Sequence, residues 1–387
     1  MSGPRARFAV IIIGLCVVIA ATALYVGLIA KPQPAPQAAG GSWDALVAAA
    51  QKEGTVQVSG PRGLPEFKKI LTDDFTSKYG IQVSYTDAGA DVVLKQMLDT
   101  PASSAYPWDV LVGGFDTLLS NLQPKGALAP MEPALVLPEA KDPSKWAGNQ
   151  LPWVDSAHTA LGFLKQAGQY FYIDSSKVNL DDIKTYRDFL DPKWRGQILL
   201  TGDPRDPGHG RSVFALFLQS PGLGEPFIRD LVSKQDLVIP KNNTDDADRY
   251  LKDPKFLMCI CNNGQGTALT KSFPNFKKLN PHNVKEGTST TSSFSNLAMP
   301  ARVAHPNAAK LYVNWILSQE VGQATSKATG VPSVRVDVAK DFIPAASVPD
   351  PSWPSGSDET ALAKADEASK LAVQILGPKD DPRGSKK

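Results

Sequence analysis

Residues 55–63 read Thr-Val-Gln-Val-Ser-Gly-Pro-Arg-Gly, an alternating strand that runs directly into a turn rich in glycine and proline. Apolar side chains at helical spacing follow over residues 67–75. The order then repeats, with a strand over 81–85, a helix over 91–99 and a short apolar strand within 108–114. Helices that join successive strands indicate right-handed crossovers and a parallel sheet, so this stretch predicts an α/β lobe.

The pattern changes after residue 156, where two extended stretches follow each other over 159–165 and 169–173. Helices and strands then alternate again. A Pro-rich segment at 344–354 is predicted to be irregular, and one amphipathic helix follows around 359–375. We therefore predict a second α/β lobe and a C-terminal tail with one helix.

The composition excludes several classes of protein. The 387 residues include 41 Lys+Arg and 39 Asp+Glu, a formal net charge of +2, which lacks the basic excess of a nucleic-acid-binding protein. With 42% hydrophobic residues the chain can bury a sizeable core, and with only 3 Cys it is not a disulfide-built scaffold. The length fits about two ordinary domains.

The amino terminus indicates export. Residues 8–30 carry no charge and follow Arg5 and Arg7. At roughly 1.5 Å per residue this run can cross a bilayer core as a helix, which predicts an uncleaved anchor with its amino terminus inside. A cleaved signal is the alternative, because Ala21-Thr-Ala23 resembles a cleavage site. Residues 31–42 then form a Pro- and Gly-rich spacer.

Several segments together carry a family resemblance. One of them is Tyr106-Pro-Trp-Asp-Val-Leu-Val-Gly-Gly114. The others, in chain order, cover residues 43–56, 75–83, 190–196, 202–205 and 307–320. With these segments the chain resembles the solute-binding component of ABC importers, in the group that includes binders of ferric iron and related small ligands.

The resemblance implies a two-lobed fold of the periplasmic-binding-protein type II kind, with a ligand held between the lobes. It implies lobe I over 43–155 plus 290–340, lobe II over 156–289, and a tail over 341–387. The expected partners are a small-molecule ligand, the membrane subunits of an ABC importer and, through the N-terminal helix, the membrane. No nucleic acid and no cofactor are expected, and the protein is expected to be a monomer. The globular part would lie outside the cytoplasm.

Candidate ligand-binding residues lie where strands end. In open α/β sheets, ligands bind beyond the carboxyl ends of strands, where glycine lets backbone approach a ligand and helix amino termini favour anions. On this basis the predicted set is Ser59, Gly60, Arg62, Gly114, Phe115, Asp116, Asp203, Gly208, His209, Asn262, Gln265 and Ser292. We expect an anionic group at the start of the helix at Arg211, with His209 beside it and Ser59 and Arg62 facing it.

Each of these positions also has a purely structural interpretation. Glycine-rich turns are needed for the turn itself, and Asp203 could cap a helix or pair with Arg205. His209 could be a solvated loop residue, and Phe115 could belong to the core. The residues alone do not decide between these interpretations.

A departure from the family pattern bears on the ligand. Ferric-iron binders of this group place two adjacent tyrosines in lobe II, whereas the matching helix here reads Gly264-Gln-Gly-Thr-Ala-Leu-Thr-Lys-Ser-Phe273. Tyr170 and Tyr172 lie elsewhere, and the 4 His are scattered, so we predict no metal site. No catalytic motif is recognisable, so catalytic residues are not expected. An exported hydrolase-like α/β enzyme with an unrecognised catalytic set is the alternative function.

Two cysteines lie close together in an exported strand. Cys259 and Cys261 point to the same face of the run 256–261. Because a disulfide between residues two apart would be strained, we expect buried small hydrophobic side chains rather than a redox pair.

Overall fold

The computed structural model describes residues 43–168, 170–240, 249, 252–253 and 255–379. The predicted anchor at 8–30 and the spacer at 31–42 lie outside the described residues. Within the described part of the chain, no helix is both long and apolar enough to cross a membrane.

The described residues contain strands and helices in alternation. The strands are β1 Thr55–Gly60, β2 Gln82–Asp87, β3 Val110–Gly113, β4 Ala160–Gly162, β5 Gln166–Ala167, β6 Tyr170–Asp174, β7 Ile198–Leu200, β8 Met258–Cys261, β9 Phe276–Lys278, β10 Thr290–Thr291 and β11 Asn296–Ala298. The α-helices are α1 Trp43–Glu53, α2 Pro65–Lys69, α3 Phe75–Tyr79, α4 Ala90–Asp99, α5 Pro138–Lys141, α6 His209–Gln219, α7 Gly224–Ser233, α8 Asn263–Ser272, α9 Pro306–Ile316, α10 Gln319–Thr329 and α11 Glu359–Leu376.

Shorter helical segments complete the set. Two π-helical segments, Ile70–Asp74 and Thr117–Leu122, continue neighbouring helices. The 3-10 turns are Gln123–Lys125, Glu132–Ala134, Pro143–Lys145, Ala147–Asn149, Leu180–Asp182, Tyr186–Leu190, Pro192–Trp194, Pro281–Asn283 and Ala345–Ser347.

Two sheets define two lobes. The first sheet has the order β2-β1-β3-β11-β4 and the second β7-β8-β6-β9. The predicted parallel pairing is confirmed for β1 with β2 and β3, but β11 runs antiparallel to β3 and β4, and β6 runs antiparallel to β8 and β9. Both sheets are therefore mixed rather than purely parallel, since β7 runs parallel to β8 in the second sheet. The chain re-enters the first sheet with β11 after forming the second.

The first lobe is organised around one buried carboxylate. Asp109, fully buried, accepts hydrogen bonds from the Gln57 backbone N–H at 2.8 Å and from the backbone N–H groups of Ala304 and His305 at 2.9 and 3.0 Å. It thereby joins β1, β3 and the approach to α9. Burying a carboxylate is tolerated only when hydrogen bonds satisfy it, which explains an aspartate inside the apolar run at 108–112.

Each lobe has its own aromatic core. In the first, Phe75 packs against Tyr312 and Trp315 of α9, with ring centroids 4.8 and 5.1 Å apart. In the second, Phe171 of β6 packs against Tyr186 at 4.7 Å and Phe189 at 5.5 Å. Such rings bury large apolar areas, so each lobe has an independent hydrophobic core.

The chain crosses between the sheets beside a small ribbon. β5 and β10 pair antiparallel, with Thr290 opposite Ala167. β4 pairs with β11 of the first sheet, although the predicted boundary at 155/156 assigns it to lobe II. The remaining boundaries of the two lobes stay a prediction.

The C-terminal segment, which the sequence predicts as a separate tail, forms a third connection between the lobes. Ser355 pairs with Thr290, and the Gly356 N–H donates to the Thr290 carbonyl at 2.7 Å. Helix α11 then packs along α6, with Ala368, Leu371 and Ala372 buried in the second core. The tail is therefore part of the folded body.

Candidate functional site

The larger cavity lies between the lobes and has a volume of about 200 Å³. Its walls come from the segment after β3, the two crossings, α6 and the C-terminal segment. Its lining residues are Phe115, Asp116, Gly168, Gly208, Arg211, Ser212, Ala215, Leu216, Gln219, Ser289, Thr291, Gly356, Ala361, Leu362 and Ala365. Concave sites that combine apolar walls with a few polar groups are typical of small-molecule binding.

Two charged side chains face this cavity from different lobes. Asp116 begins the helical segment after β3, and its Oδ1 accepts a hydrogen bond from the Ser120 hydroxyl at 2.7 Å. Arg211 lies in the first turn of α6, with only 16% of its side chain exposed. Its Nη1 is 3.4 Å from Asp366 Oδ1, and its buried Nε–H has no hydrogen-bond partner among the described residues. An unsatisfied buried donor costs about 1–3 kcal/mol, so an acceptor supplied by a ligand would stabilise this guanidinium.

A second, smaller cavity of about 140 Å³ lies at the carboxyl ends of β7 and β8. The amino termini of α6 and α8 meet there, and Gly208 lines both cavities. Glycine is required at position 210, because a Cβ there would overlap the carbonyl oxygen of Gly202. The close approach of α6 to β7 therefore depends on the sequence Gly-His-Gly.

The predicted lobe II residues do come together at the smaller cavity. Asp203, Gly208, His209, Asn262 and Gln265 all line it. Asn262 is the N-cap of α8, and its Oδ1 accepts the Gln265 N–H at 2.9 Å while its amide donates to the Gln265 side chain at 2.8 Å. These bonds hold the start of α8, and the side-chain amides remain polar walls of the cavity.

The prediction that His209 would help to hold an anion stays a prediction, and the structure defines the state of its ring. Its Nε2–H donates to the Ile260 carbonyl at 3.2 Å, and burial lowers the pKa of the imidazole to about 4. The ring is therefore neutral near pH 7 and carries no positive charge for an anion. Its role in this conformation is to fasten α6 to β8.

The Asp203 carboxylate also forms its hydrogen bonds within the protein. This buried carboxylate accepts hydrogen bonds from three groups of Arg205, the backbone N–H at 2.9 Å, Nε at 3.0 Å and Nη2 at 2.7 Å. Burial alone would raise the pKa of Asp203, but the hydrogen bonds from Arg205 outweigh it and lower the pKa below the ordinary value. Arg205 in turn donates to the Gly377 carbonyl at 3.1 Å, so this pair anchors the end of α11.

Five predicted residues line neither cavity. These are Ser59, Gly60, Arg62, Gly114 and Ser292. The Arg62 guanidinium instead contacts Asp91 at 3.4 Å on the surface of the first lobe, so it does not face the start of α6 in this structure. Ser59 is buried at the end of β1, and Gly60 makes room for the Tyr85 ring.

Gly114 and Ser292 both lie close to the crossing between the lobes. Gly114 is next to the Ser293 carbonyl, and the buried Ser292 hydroxyl donates to the Asn296 side chain at 2.5 Å. The Ser292 N–H donates to the Ser357 hydroxyl at 3.2 Å. Their contacts join neighbouring segments of the protein.

The sequence predicts that Cys259 and Cys261 are buried, which is confirmed, and that they form no disulfide, which is wrong. The structure joins Cys259 and Cys261 in a disulfide within β8, and both side chains are 1% exposed. The two Cα atoms are 5.3 Å apart, within the usual range for disulfides. Both side chains point to one face of the strand, which brings the sulfurs together.

Arg211 and the C-terminal wall line the cavity but do not belong to the set of residues predicted from the sequence. For Arg211 the sequence predicts only the start of a helix. For the wall there was a signal, since Ala361, Ala365, Ala368 and Ala372 form a face of small side chains at helical spacing. Such a face indicates close packing against another helix, which here is α6.

Comparison with known proteins identifies the family to which the chain belongs. A family profile described as "Bacterial extracellular solute-binding protein" matches residues 71–353. The chain belongs to this family of solute-binding proteins. The matched region ends before α11, so the helix that closes the larger cavity lies beyond it.

Individual relatives are distant in sequence. "Iron uptake protein A1" of Synechocystis sp. is 25% identical over 148 residues, which are 38% of this chain and 37% of that protein's length. The Trichodesmium protein IdiA (FutA), solved with iron and citrate ligands, has a TM-score of 0.62 at 19% identity and covers 84% of this chain and 100% of its own. AfuA from Actinobacillus pleuropneumoniae, solved with fructose-6-phosphate, has a TM-score of 0.55 at 15% identity over 84% of this chain and 98% of its own. These structures share the two-lobed fold with the solute-binding protein.

Proposed function

We propose that the protein is a membrane-tethered extracytoplasmic solute-binding protein that holds a small polar or anionic ligand between its lobes for an ABC importer. The observation that carries this proposal is the 200 Å³ cavity, which has walls from both lobes and from the crossings between them. A solute in this position contacts residues of both lobes and of the crossings between them.

The cavity suits capture rather than catalysis. Hinge closure around a ligand excludes water and lets polar groups from both lobes satisfy the ligand together. The hydroxyls of Ser289 and Thr291 and the amide of Gln219 provide such polar groups between apolar walls. Among the described residues that line the cavity, no nucleophile–base pair lies within hydrogen-bond distance, which favours a binding protein over the hydrolase-like alternative.

The relatives support transport without deciding the solute. One is named as an iron uptake protein, one was solved with iron and citrate, and one with a sugar phosphate. Neither cavity formed by the described residues has a tyrosine in its lining. We therefore propose that the cargo of this chain is an organic solute rather than bare ferric iron.

The test is a thermal-shift screen of the full chain in mild detergent, followed by mass analysis of each stabilising solute after incubation. We expect saturable stabilisation of about 2–4 kcal/mol at 100–1,000 times the dissociation constant, with the solute recovered unchanged. Ferric citrate serves as the matched iron probe and should produce no visible phenolate-to-iron band. Conversion of a solute would favour the enzyme alternative, and a visible band would restore an iron site.

A further inference from the structure

Two charged side chains of opposite sign line the larger cavity. Among the described residues of its lining, only Asp116 and Arg211 carry a formal charge, and they come from different lobes. Neither wall of the cavity is uniformly positive or negative. A ligand that fits both walls needs an anionic group and a cationic group.

The α6 side of the cavity suits the anionic group. The guanidinium of Arg211 is mostly buried, and its Nη1 lies 3.4 Å from the Asp366 Oδ1. Its Nε–H has no hydrogen-bond partner among the described residues. Charge-assisted bonds to a carboxylate are normally about 2.7–2.9 Å, so the contact with the exposed Asp366 is weak. A carboxylate in the cavity can replace it, with the neighbouring Ser212 hydroxyl beside it.

The opposite side suits the cationic group. Phe115 and Asp116 are adjacent at the end of β3, and both line the cavity. The face of an aromatic ring attracts an ammonium group, and a carboxylate does so more strongly. The same Asp116 repels a ligand that carries only negative charge, while Arg211 repels a bare cation, and such repulsion is a usual source of specificity.

We propose that the solute held in this cavity is a small zwitterion, with its carboxylate on Arg211 and its ammonium or quaternary ammonium group on Phe115 and Asp116. This inference rests on the proposed function. The volume of about 200 Å³ is below the range of roughly 300–1,000 Å³ usual for sites of drug-sized ligands, which favours a small solute. Ala361 and Ala365 of α11 form the apolar wall that limits this size.

The experiment is calorimetric titration of the full chain with the common amino acids and glycine betaine. Each zwitterion that binds is compared with one analogue that lacks the cationic group and one that lacks the carboxylate. We expect at least one zwitterion to bind with a dissociation constant below about 100 μM, and both of its analogues to bind at least about 30-fold more weakly.

Four variants test the assignment of the groups. Arg211→Gln should weaken zwitterion binding by about 30-fold or more, and Asp116→Asn by about 10-fold. Ala365→Leu should weaken it by filling the cavity, whereas Ala363→Leu, two residues away on the exposed face of α11, should leave it unchanged. Thermal melting of each variant checks that it is folded, and Asp116→Asn tests the proposal from lobe I if Arg211→Gln does not fold.

The outcomes separate this inference from the proposed function. Equal binding of a zwitterion and its carboxylate-only analogue would overturn the inference. The inference would also be overturned if no zwitterion binds and a solute without a cationic group binds tightly and is recovered unchanged. In that case the proposed function would stand. If no solute of any charge binds or stabilises the protein, both fall.

Discussion

At the residue scale, the structure assigns several polar side chains to the framework and leaves few for a ligand. Asp109 joins three elements, Asp203 holds Arg205, and His209 fastens α6 to the Ile260 carbonyl. Each is buried or half-buried and hydrogen-bonded within the protein, as buried polar groups must be. Arg211 is different, because its buried Nε–H has no partner in the described part of the chain. This contrast makes Arg211 the residue most directly available to a solute.

The lowered pKa of His209 predicts a pH dependence of stability. Its pKa is about 4 in the folded protein and about 6.5 when unfolded, so the unfolded chain binds more protons between these values. Stability from this residue is therefore complete above about pH 6.5 and is lost as the pH falls towards 4, by about 2 kcal/mol at pH 5.

The measurement is urea unfolding at pH 7 and pH 5. His209→Gln keeps a donor for the Ile260 carbonyl but removes the titrating group, so the difference between the two pH values should shrink by about 2 kcal/mol. Gln219→Ala, on the same helix, changes no titratable group and should keep the wild-type difference. An unchanged difference in His209→Gln would mean that the imidazole is not buried in solution.

At the element scale, α11 connects the two lobes. Near its amino terminus, the Glu359 carboxylate accepts hydrogen bonds from the Ser156 N–H at 3.0 Å and hydroxyl at 2.9 Å, and the Glu359 N–H donates to the Val154 carbonyl at 2.9 Å. Further along, Leu371 lies in the second core beside α6. The apolar face of this helix packs against the protein rather than facing solvent. It therefore both stabilises lobe II and forms a wall of the cavity.

This packing predicts that two neighbouring substitutions differ in their effect. Leu371 is 5% exposed and Val373 is 42% exposed. Leu371→Ala removes buried methyl groups and leaves a cavity, which costs about 2–5 kcal/mol, whereas an exposed change such as Val373→Ala costs about 0.5 kcal/mol. The free energy of unfolding in urea measures both. Similar small losses would show that α11 does not pack on α6 in solution.

At the scale of the whole molecule, the proposed tether would link the folded body to a membrane. Two lobes with separate cores meet at a cavity, and the chain crosses between them beside β5 and β10. Residues 31–42, rich in proline and glycine, would give this body reach from an anchor at 8–30. Tethering would keep the solute-binding protein close to an importer, which raises its effective concentration there.

The tether predicts where the protein is found in the cell. With residues 8–30 retained, the protein should stay in the membrane fraction after a high-salt wash and keep its original amino terminus. Ala23→Leu removes the small residue of the alternative cleavage site, so if the segment is an anchor it should change the mass of the mature protein only by the difference between leucine and alanine. A mature amino terminus at Leu24 or beyond in the wild type would contradict the anchor.

The local alternation of strands and helices was readable from the sequence, because side-chain periodicity and the turn residues that end each element act over only a few positions. For the same reason, the strand ends at which the cavities form could be predicted from the sequence. Tertiary structure alone decided which of these turns face the cavity, how Arg62 pairs with Asp91, and where α11 lies. Those outcomes depend on contacts between residues far apart in the chain, such as Arg205 with Gly377, whose geometry no local pattern contains. Burial of His209 is of the same kind, since its lowered pKa arises from the packing of α6 on β8 and not from its neighbours in sequence.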